Sequence, residues 1–436
     1  MPKLIIEGGI KPEGEVVISG SKNASMPIII ASMLLSSDAL VTLQNSASTQ
    51  DICYVLQALR EVGFGYNFCY NQGCCIKAIG LVKKEQTNIT SSKIAGLIRT
   101  SVLFMGPMLA RFGHAKLPFP GGCSIGERKI DIHLDALTKL GASILQGEDY
   151  AELSAPNGLK GCNFELRFAS VGASQNIIMA ACLAKGQSII KNIAGEPEVL
   201  SLIEFLNLCG ASIEYDAQTK TAIINGTGGS LLNPKGEIIF KIPSDRIEAG
   251  TFIILAAVTD GKILLKNIKL HEIESFIPQL QNAGCKIEEL HNGILASRAK
   301  SGLNSFNLET NIHPAFPTDL QPQLTTLFCL ASKPAIVTET IFENRFAHIK
   351  ELNKIGAKAK VDGKICTINP VKSFCSTSNV ELIGHDLRAS AAVVMAALAR
   401  PSGTTTTIAS TTQLDRGYEL FDAKLNKCGA KIKRQF

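Results

Sequence analysis

A short phrase that recurs six times along the 436 residues constrains the fold of this chain more than any other feature. The phrase joins an apolar helix end, a glycine and an alternating strand, as in Leu-Asn-Lys-Ile-Gly-Ala-Lys-Ala at residues 352–359. Its glycines lie 69 to 78 residues apart and are Gly63 (in a degenerate copy), Gly141, Gly210, Gly284, Gly356 and Gly429. Such a regular period indicates a repeat protein of six units.

Each repeated glycine suits the position just after a helix, where a left-handed backbone leads into a strand. A second, alanine-rich helix opens upstream of each copy, near Lys22, Arg99, Ser170, Asp245, Asp319 and Arg388. A strand such as residues 187–192 runs between the two helices. One unit therefore has βαβαββ order, and we predict an α/β protein with two lobes of three repeats each.

The glycine- and proline-rich stretch 225–241 predicts the boundary between the lobes. We expect an N-terminal lobe over residues 22–235 and a C-terminal lobe over residues 236–436. Residues 1–21 match the hairpin that ends a repeat, so we assign them to the C-terminal lobe. The chain would then cross between the lobes twice, which favours a hinge.

Composition excludes several classes of partner. Trp is absent and aromatic residues make up only 6%, so stacking on nucleic-acid bases is disfavoured. The net charge of +6 comes without a basic stripe, which favours small anionic ligands. The apolar runs are shorter than the roughly 18 residues of a membrane-spanning helix. We therefore expect no nucleic acid and no membrane.

The thirteen cysteines indicate a reducing compartment. Their number is odd, their spacing is irregular, and Cys182 and Cys329 lie in apolar helical runs where a thiol packs as a small hydrophobe. The pair Cys74-Cys75 has no neighbouring histidine, which argues against a zinc site. The N-terminus lacks the apolar core of a signal peptide, so we predict a cytoplasmic protein.

One cysteine lies in a different setting. Cys123 is in the loop Pro118–His133 between Gly121, Gly122 and Gly126, which permit close approach of the backbone to a ligand. Arg128 follows five residues later and can lower a thiol pKa or hold an anion. A small buried hydrophobe in a turn is the alternative interpretation, but it needs neither the glycines nor the arginine.

Polar residues open the apolar, alanine-rich helices. The set is Ser21–Asn23, Arg99–Ser101, Ser170–Ala173, Asp245–Arg246, Asp319 and Asp386–Arg388. Ser170, Asp245 and Asp386 suit plain N-caps. Lys22, Arg99 and Arg388 oppose the helix dipole, which favours an anion between each cation and its helix end.

A second cationic set follows the strands, at Arg128, Arg345 and Arg416. Together with Lys22 and Arg388 these residues would suit a small ligand carrying phosphate and carboxylate, although each arginine alone could be a surface ion pair. Asp319 follows Pro314 and Pro317 at a helix start. Among arginines it is either a structural ion or, beside a substrate hydroxyl, a base.

These segments closely resemble the enolpyruvyl transferase family, in the branch that acts on UDP-N-acetylglucosamine, from residue 3 to about residue 432. The matching motifs are Ser21–Ala24, Pro120–Arg128, Ser170–Ala173, Asp245–Glu248, His313–Asp319, Phe342–Arg345 and Asp415–Tyr418. The resemblance implies two inside-out α/β barrel lobes with the active site in the cleft between them. It implies transfer of enolpyruvyl from phosphoenolpyruvate to the sugar 3-hydroxyl through a tetrahedral ketal, with release of phosphate, as the first committed step of peptidoglycan synthesis.

The resemblance also implies residue roles. Cys123 would protonate C3 of phosphoenolpyruvate, form a covalent phospholactoyl adduct and be alkylated by fosfomycin, and Asp319 would take the hydroxyl proton. The other catalytic residues implied are Lys22 and Arg416. The phosphoenolpyruvate contacts implied are Lys22, Asn23, Arg128, Arg345, Arg388 and Arg416. The UDP-N-acetylglucosamine contacts implied are Asn23, Arg99, Arg128, Lys129, Ile130, Asp131, Ile132, Ser170, Val171, Gly172, Asp319 and Ile341.

No cofactor or metal is implied, and we expect a monomer or weak homo-oligomer. Phe168 and Gly195 depart from the family pattern, which often has lysine and arginine there, and both bear on the nucleotide end. Two rivals remain at this point. One is the sibling transferase of shikimate 3-phosphate, which lacks the Cys123 loop in this form. The other is a non-catalytic nucleotide-sugar sensor, in which loss of Cys123, Asp319 or the arginines would be expected.

Overall fold

A computed structural model describes residues 2–69, 75–81, 95–119, 121, 125, 126 and 129–436. The chain divides into two compact units. The first unit contains the residues up to 19, those from 244 to 436, and Ile125 and Gly126. The second unit contains the remainder of residues 20–243. The division after residue 243 lies eight residues beyond the predicted position at 235, because the strand at 238–241 pairs within the second unit.

The helices are mostly short, and several begin with a 3₁₀ turn. In the described residues the α-helices are α1 (Lys22–Ala31), α2 (Gln50–Glu61), α3 (Met105–Phe112), α4 (Asp131–Lys139), α5 (Val171–Cys182), α6 (Pro197–Leu208), α7 (Arg246–Thr259), α8 (Ile277–Asn282), α9 (Gln321–Phe328), α10 (Ala347–Lys354), α11 (Leu387–Leu398), α12 (Thr412–Gly417) and α13 (Phe421–Lys427). The 3₁₀ turns are Ser32–Leu34, Ala95–Leu97, Arg99–Phe104, Leu270–Phe276 and Thr318–Leu320.

The strands are short as well. Over the same residues they are β1 (Lys3–Glu7), β2 (Glu13–Val17), β3 (Leu40–Gln44), β4 (Phe64–Cys69), β5 (Cys75–Leu81), β6 (His114–Pro118), β7 (Ser143–Gln146), β8 (Tyr150–Ser154), β9 (Asn163–Glu165), β10 (Gln187–Lys191), β11 (Ser212–Asp216), β12 (Thr221–Asn225), β13 (Ile238–Lys241), β14 (Lys262–Lys266), β15 (Cys285–Leu290), β16 (Gly293–Arg298), β17 (Leu308–Glu309), β18 (Ala335–Thr338), β19 (Lys358–Asp362), β20 (Ile365–Asn369), β21 (Val380–Ile383), β22 (Thr405–Ala409) and β23 (Ile432–Gln435).

The sheets repeat one pattern. In each four-stranded sheet an outer strand runs parallel to its neighbour, which pairs antiparallel with the third strand, and the third and fourth strands are also antiparallel, as in β9, β10, β12 and β11. The sheet of β6, β8 and β7 has three strands in the described part of the chain. β1 pairs with β22 and β23, so the N-terminal strand completes the sheet of the C-terminal repeat. The predicted α/β class and βαβαββ order are confirmed.

The six repeated glycines end six helices, as predicted. Gly63, Gly141, Gly210, Gly284, Gly356 and Gly429 have φ between 84° and 98°. The N–H of each donates to the carbonyl three residues earlier, as Gly356 does to Asn353 at 3.1 Å. A residue with a Cβ is disfavoured in this left-handed region, so the turn from helix to strand selects glycine.

In the first unit the core is built around helices rather than around a sheet. Helices α7, α9 and α11 contact one another. All residues of α7 and α9 are buried, because α7 packs against β14 and β16 and α9 packs against α7 and α11. Strands alternate buried residues with more exposed ones, as β1 and β20 do. The polar groups at the starts of these helices are therefore held by a rigid apolar core.

A search of the described residues for a helix long and apolar enough to cross a membrane finds none.

Candidate active site

A carboxylate held by two buried arginines is the central feature of the first unit. Asp319 accepts a hydrogen bond from Arg345 Nη2 at 2.7 Å and from Arg388 Nη2 at 2.9 Å, one on each carboxylate oxygen. The arginine side chains are 2% and 1% exposed, whereas the Asp319 side chain is 27% exposed. The group is fixed yet reachable from solvent.

Local structure explains why Asp319 lies there. It belongs to the 3₁₀ turn that leads into α9. The next residue, Leu320, is fully buried against Gly250 of α7, where an added Cβ would lie 2.6 Å from Leu320 Cδ1. Glycine at this position therefore lets the turn approach α7 closely, and the buried Leu320 anchors the carboxylate beside it.

Arg388 occupies the first turn of α11, where Asp386 is the N-cap and accepts the N–H groups of Arg388 and Ala389. Burial acts to lower the pKa of the Arg388 guanidinium, but the Asp319 and Tyr418 side chains outweigh it and the pKa is raised. The guanidinium carbon lies 5.1 Å from the centroid of the Tyr418 ring. Arg388 therefore remains a fixed cation.

A buried polar network supports Tyr418 from behind. Its hydroxyl lies 3.0 Å from Thr251 Oγ1 and accepts a hydrogen bond from Gln323 Nε2 at 2.9 Å. Gln323 also donates to Thr251 at 3.0 Å. Burial raises the pKa of Tyr418. The three side chains come from α7, α9 and the residue after α12, so the network links these helices to the tyrosine whose ring lies against Arg388.

The Asp415–Tyr418 motif positions Arg416. Asp415 accepts a two-pronged hydrogen bond from Arg434 at 2.8 and 2.9 Å. Gly417 packs so closely on α11 that a Cβ would lie 2.7 Å from Leu387 Cδ1. Arg416 is partly buried and donates to Gln413 Oε1 at 3.2 Å. The motif therefore places Arg416 beside the first turn of α11.

His348 lies behind the same cluster and is fully buried. Burial lowers the pKa of His348 to about 3, with Asp386 acting to raise it and Arg345 to lower it. A backbone hydrogen bond of Arg345 also acts to raise the pKa of His348, but burial outweighs it. The imidazole is therefore neutral at physiological pH.

The buried histidine predicts an acid-sensitive stability. Below about pH 6.5 the unfolded chain binds a proton on His348, whereas the folded chain does not until about pH 3. The unfolded state thus holds more protons in this window, and the free energy of unfolding falls as the pH is lowered. His348→Leu is expected to flatten that fall between pH 6.5 and 4.5, measured by denaturant unfolding. The exposed His291→Leu is the control, and an equal flattening there would contradict the assignment.

In the second unit, Lys22 forms a buried ion pair. Its ammonium lies 3.3 Å from Asp51 Oδ2, and both side chains are 7% exposed. Ser21 caps α1 by accepting the Ala24 N–H at 3.2 Å. The sequence suggested an anion beside each cation at a helix start. For Lys22 the structure supplies a carboxylate from α2, and for Arg388 it supplies Asp319.

Three predicted nucleotide-sugar segments come together in the second unit. The fully buried Asn176 of α5 donates to the Val102 carbonyl at 3.1 Å and accepts the Gly106 N–H at 2.7 Å. Its Nδ2 also lies 3.1 Å from His133 Nδ1. Gly172 packs on the His133 ring, which an added Cβ would approach to 3.1 Å. The Asn176 amide therefore ties α5 to α4 and to the segment 99–106.

The polar rim of that cluster is partly exposed. Arg99 donates to the Lys129 carbonyl at 2.9 Å. Asp131 pairs with Arg167 and accepts the Ile132 N–H. Partial burial acts to raise the pKa of Asp131, but Arg167 and backbone donors outweigh it and the pKa is lowered. The structure thus groups the predicted contacts Arg99, Lys129, Ile130, Asp131, Ile132, Ser170, Val171 and Gly172, with Asn23 half-buried on α1.

Other predictions have mixed outcomes. Cys123 and Arg128 lie outside the described residues. Ser170, Asp245 and Asp386 are N-caps, which confirms the structural interpretation of their side chains. Cys182 and Cys329 are buried, and burial raises the pKa of each thiol to about 12, so both are packing residues as expected. Ile341 lies in the turn after β18 and is half-buried.

Several residues of these clusters were not found from the sequence. They are Asp51, Asn176, Thr251, Gln323, His348 and also Glu339, which accepts a hydrogen bond from the hydroxyl of Thr318, the residue before Asp319. Each is polar and nearly or fully buried. They could have been identified as polar residues within apolar helices or directly after apolar strands, because a buried polar group needs hydrogen-bond partners.

Comparison with known sequences gives a full-length match. The profile of the family described as EPSP synthase (3-phosphoshikimate 1-carboxyvinyltransferase) matches residues 6–425. The chain is 41% identical to a UDP-N-acetylglucosamine 1-carboxyvinyltransferase of Wolbachia sp. subsp. Drosophila simulans, with 99% of each covered. It is 40% identical to the Pelagibacter ubique protein and 39% identical to the Nitratidesulfovibrio vulgaris protein of that name, with 100% of each chain covered.

Solved structures share the fold. The enolpyruvyl transferase NikO from Streptomyces tendae superposes with a TM-score of 0.89 at 22% identity, covering 100% of this chain and 99% of NikO. An EPSP synthase from Acinetobacter baumannii gives a TM-score of 0.70 at 18% identity over 100% of both chains. At these identities the likeness shows the architecture alone.

Proposed function

The chain belongs to the EPSP synthase family of carboxyvinyl (enolpyruvyl) transferases, and we propose on that premise that it transfers the enolpyruvyl group of phosphoenolpyruvate to the 3-hydroxyl of UDP-N-acetylglucosamine. The observation that carries this assignment is full-length identity of 39–41% to relatives named for that activity. The reaction is the first committed step of peptidoglycan synthesis. Shikimate 3-phosphate as acceptor has the family-wide profile match and a fold neighbour of 18% identity in its favour, which is weaker support than the full-length relatives give.

The reaction balances with groups that this chain carries. A proton from an acid adds to C3 of phosphoenolpyruvate while the sugar 3-hydroxyl bonds to C2 and gives its proton to a base. The ketal then loses a proton from C3 and its phosphate from C2, which leaves the enol ether. We assign the acid to Cys123 and the base to Asp319, whose carboxylate is oriented by Arg345 and Arg388.

Fixed cations suit the anionic substrate. We assign phosphoenolpyruvate to Lys22, Asn23, Arg128, Arg345, Arg388 and Arg416. Lys22 and Arg416 also take part in the chemistry, where they stabilise the departing phosphate. Buried or half-buried cations held by carboxylates and amides are already oriented, so charge that develops on phosphate meets little reorganisation.

We assign the nucleotide sugar to the cluster around Asn176, with Asn23, Asp319 and Ile341 as further contacts. Phe168 is 45% exposed near the start of α5. It offers an apolar face where the family pattern often has a lysine. We place the protein in the cytoplasm, because buried free thiols such as Cys182, Cys285 and Cys366 suit a reducing compartment. The monomeric or weakly oligomeric state stays a prediction.

Phosphate release tests the assignment. The purified chain with phosphoenolpyruvate is expected to release phosphate when UDP-N-acetylglucosamine is added and to remain at background with shikimate 3-phosphate. Phosphoenolpyruvate without acceptor, and each acceptor without phosphoenolpyruvate, are the controls for contaminating phosphatase. Release with phosphoenolpyruvate and shikimate 3-phosphate, but not with phosphoenolpyruvate and UDP-N-acetylglucosamine, would select the sibling transferase. Calorimetric binding of the nucleotide sugar without release would select a sensor.

A further inference from the structure

A carboxylate with no assigned role lies directly after β18. Glu339 is fully buried, and its side chain accepts four hydrogen bonds. Oε1 accepts from the Thr310 hydroxyl at 2.8 Å and from the N–H groups of Ile341 and Phe342 at 2.9 and 3.3 Å. Oε2 accepts from the Thr318 hydroxyl at 3.0 Å.

These donors are all neutral. None of the four is a lysine or arginine side chain, so the charge of Glu339 is met by hydroxyl and backbone dipoles. Burying a carboxylate destabilises the folded state unless its oxygens accept hydrogen bonds, and loss of one donor leaves a buried oxygen without a partner, which lowers the free energy of unfolding. This free-energy penalty constrains the positions of the three segments that provide the donors. Each segment must stay within hydrogen-bond distance of the Glu339 carboxylate.

Two of those segments carry proposed substrate contacts. The Thr318 hydroxyl binds Glu339, the Thr318 carbonyl accepts from Arg345 Nε at 3.3 Å, and the next residue is Asp319. The turn on the other side presents Ile341. Glu339 therefore sets the spacing between the proposed base and the Ile341 turn, although it lies too deep to touch a ligand itself.

We propose that Glu339 is a positioning residue for the acceptor sugar, which holds the Thr318–Asp319 turn and the Ile341 turn at the separation that the nucleotide sugar requires. The inference rests on the proposed function, since it takes Asp319 and Ile341 as sugar contacts. It assigns no contact with phosphoenolpyruvate to Glu339.

Glu339→Gln tests the proposal with almost no change in volume. The amide has one oxygen where the carboxylate has two, so one set of donors loses its acceptor. We expect the KM for UDP-N-acetylglucosamine to rise about tenfold, as for loss of a hydrogen bond to a charged group, while the KM for phosphoenolpyruvate changes less than about twofold.

Glu351→Gln is the matched control. Glu351 is 1% exposed in the same unit and accepts from Lys354, His385 and the Ile383 N–H at 2.7, 3.1 and 2.9 Å. Its loss is expected to lower the melting temperature as much as Glu339→Gln does, without a change in either KM. Equal effects of both variants on both KM values would overturn the proposal and indicate general loosening of the unit.

Rescue by a conservative change gives a second readout. Thr318→Ser keeps the hydroxyl that binds Glu339 and is expected to keep the wild-type KM for the sugar, whereas Thr318→Val is expected to reproduce the effect of Glu339→Gln. Equal KM values in the two variants would overturn the proposal. Wild-type protein that neither binds nor turns over UDP-N-acetylglucosamine would instead overturn the proposed function, and with it this inference.

Discussion

Asp319→Asn is expected to lower kcat by about 10³-fold, the range usual for loss of a general base. An amide keeps the shape of the side chain but cannot take the proton of the sugar hydroxyl. Binding of UDP-N-acetylglucosamine is expected to survive, because Asn can still accept a hydrogen bond through one oxygen. The measurements are steady-state phosphate release and calorimetry with the nucleotide sugar.

The same substitution is expected to destabilise the protein, and this effect must be separated from the loss of turnover. Arg345 and Arg388 would lose their shared counter-charge while 2% and 1% exposed, and breaking a buried pair costs about 3–5 kcal/mol at most. Asp422→Asn is the control, because Asp422 pairs with Arg434 at 2.8 and 3.0 Å. It is expected to lower stability and keep kcat. A kcat for Asp319→Asn within tenfold of wild type would rule out the base.

Cys123→Ser is expected to lower turnover by about 10²–10⁴-fold, the usual contribution of a positioned acid. A serine hydroxyl is a much weaker acid than a thiol, whose ordinary pKa is about 8.5, so protonation of C3 slows although the side chain stays nearly the same size. The wild-type chain incubated with phosphoenolpyruvate or fosfomycin is expected to gain one adduct by intact mass, on the Cys123 peptide. The variant is expected to gain none and to keep its affinity for the nucleotide sugar.

Cys53→Ser is the control for the thiol, since Cys53 is exposed and lies on α2. Its kcat and its adduct mass are expected to match those of the wild type. Near-normal phosphate release by Cys123→Ser, or an adduct on another cysteine, would remove Cys123 from the acid role and leave the family assignment in place.

Some parts of the fold could be predicted because they depend on neighbours in the chain. Gly356 and its five counterparts need a left-handed backbone after a helix, and Asp386 and Ser170 cap the helices that follow them. These requirements act over a few residues, so the sequence shows them directly. Repetition of the same signal six times then gives the α/β repeat order.

Other parts depend on residues distant in the chain. Lys22 was expected to have an anionic neighbour, but its partner Asp51 comes from another helix, 29 residues away. In the sequence, Glu339 is an ordinary acidic residue after a strand. Its four hydrogen-bond donors come from three separate segments, which only the structure shows. The second unit extends to residue 243 because β13 pairs with β3, about 200 residues earlier. Contacts between residues that are distant in the chain leave no pattern among neighbouring residues of the sequence.

Local patterns in the chain predict the repeat unit, the α/β class and the residue types of the clusters, and the resemblance of its motifs gives the family. Three features are evident only in the folded protein: Asp319 is shared by two buried arginines, Asn176 joins three segments, and Glu339 accepts hydrogen bonds from two turns. Backbone preferences and caps are fixed by a few adjacent residues, whereas the environment of a buried charge is set by whichever distant groups the core brings against it.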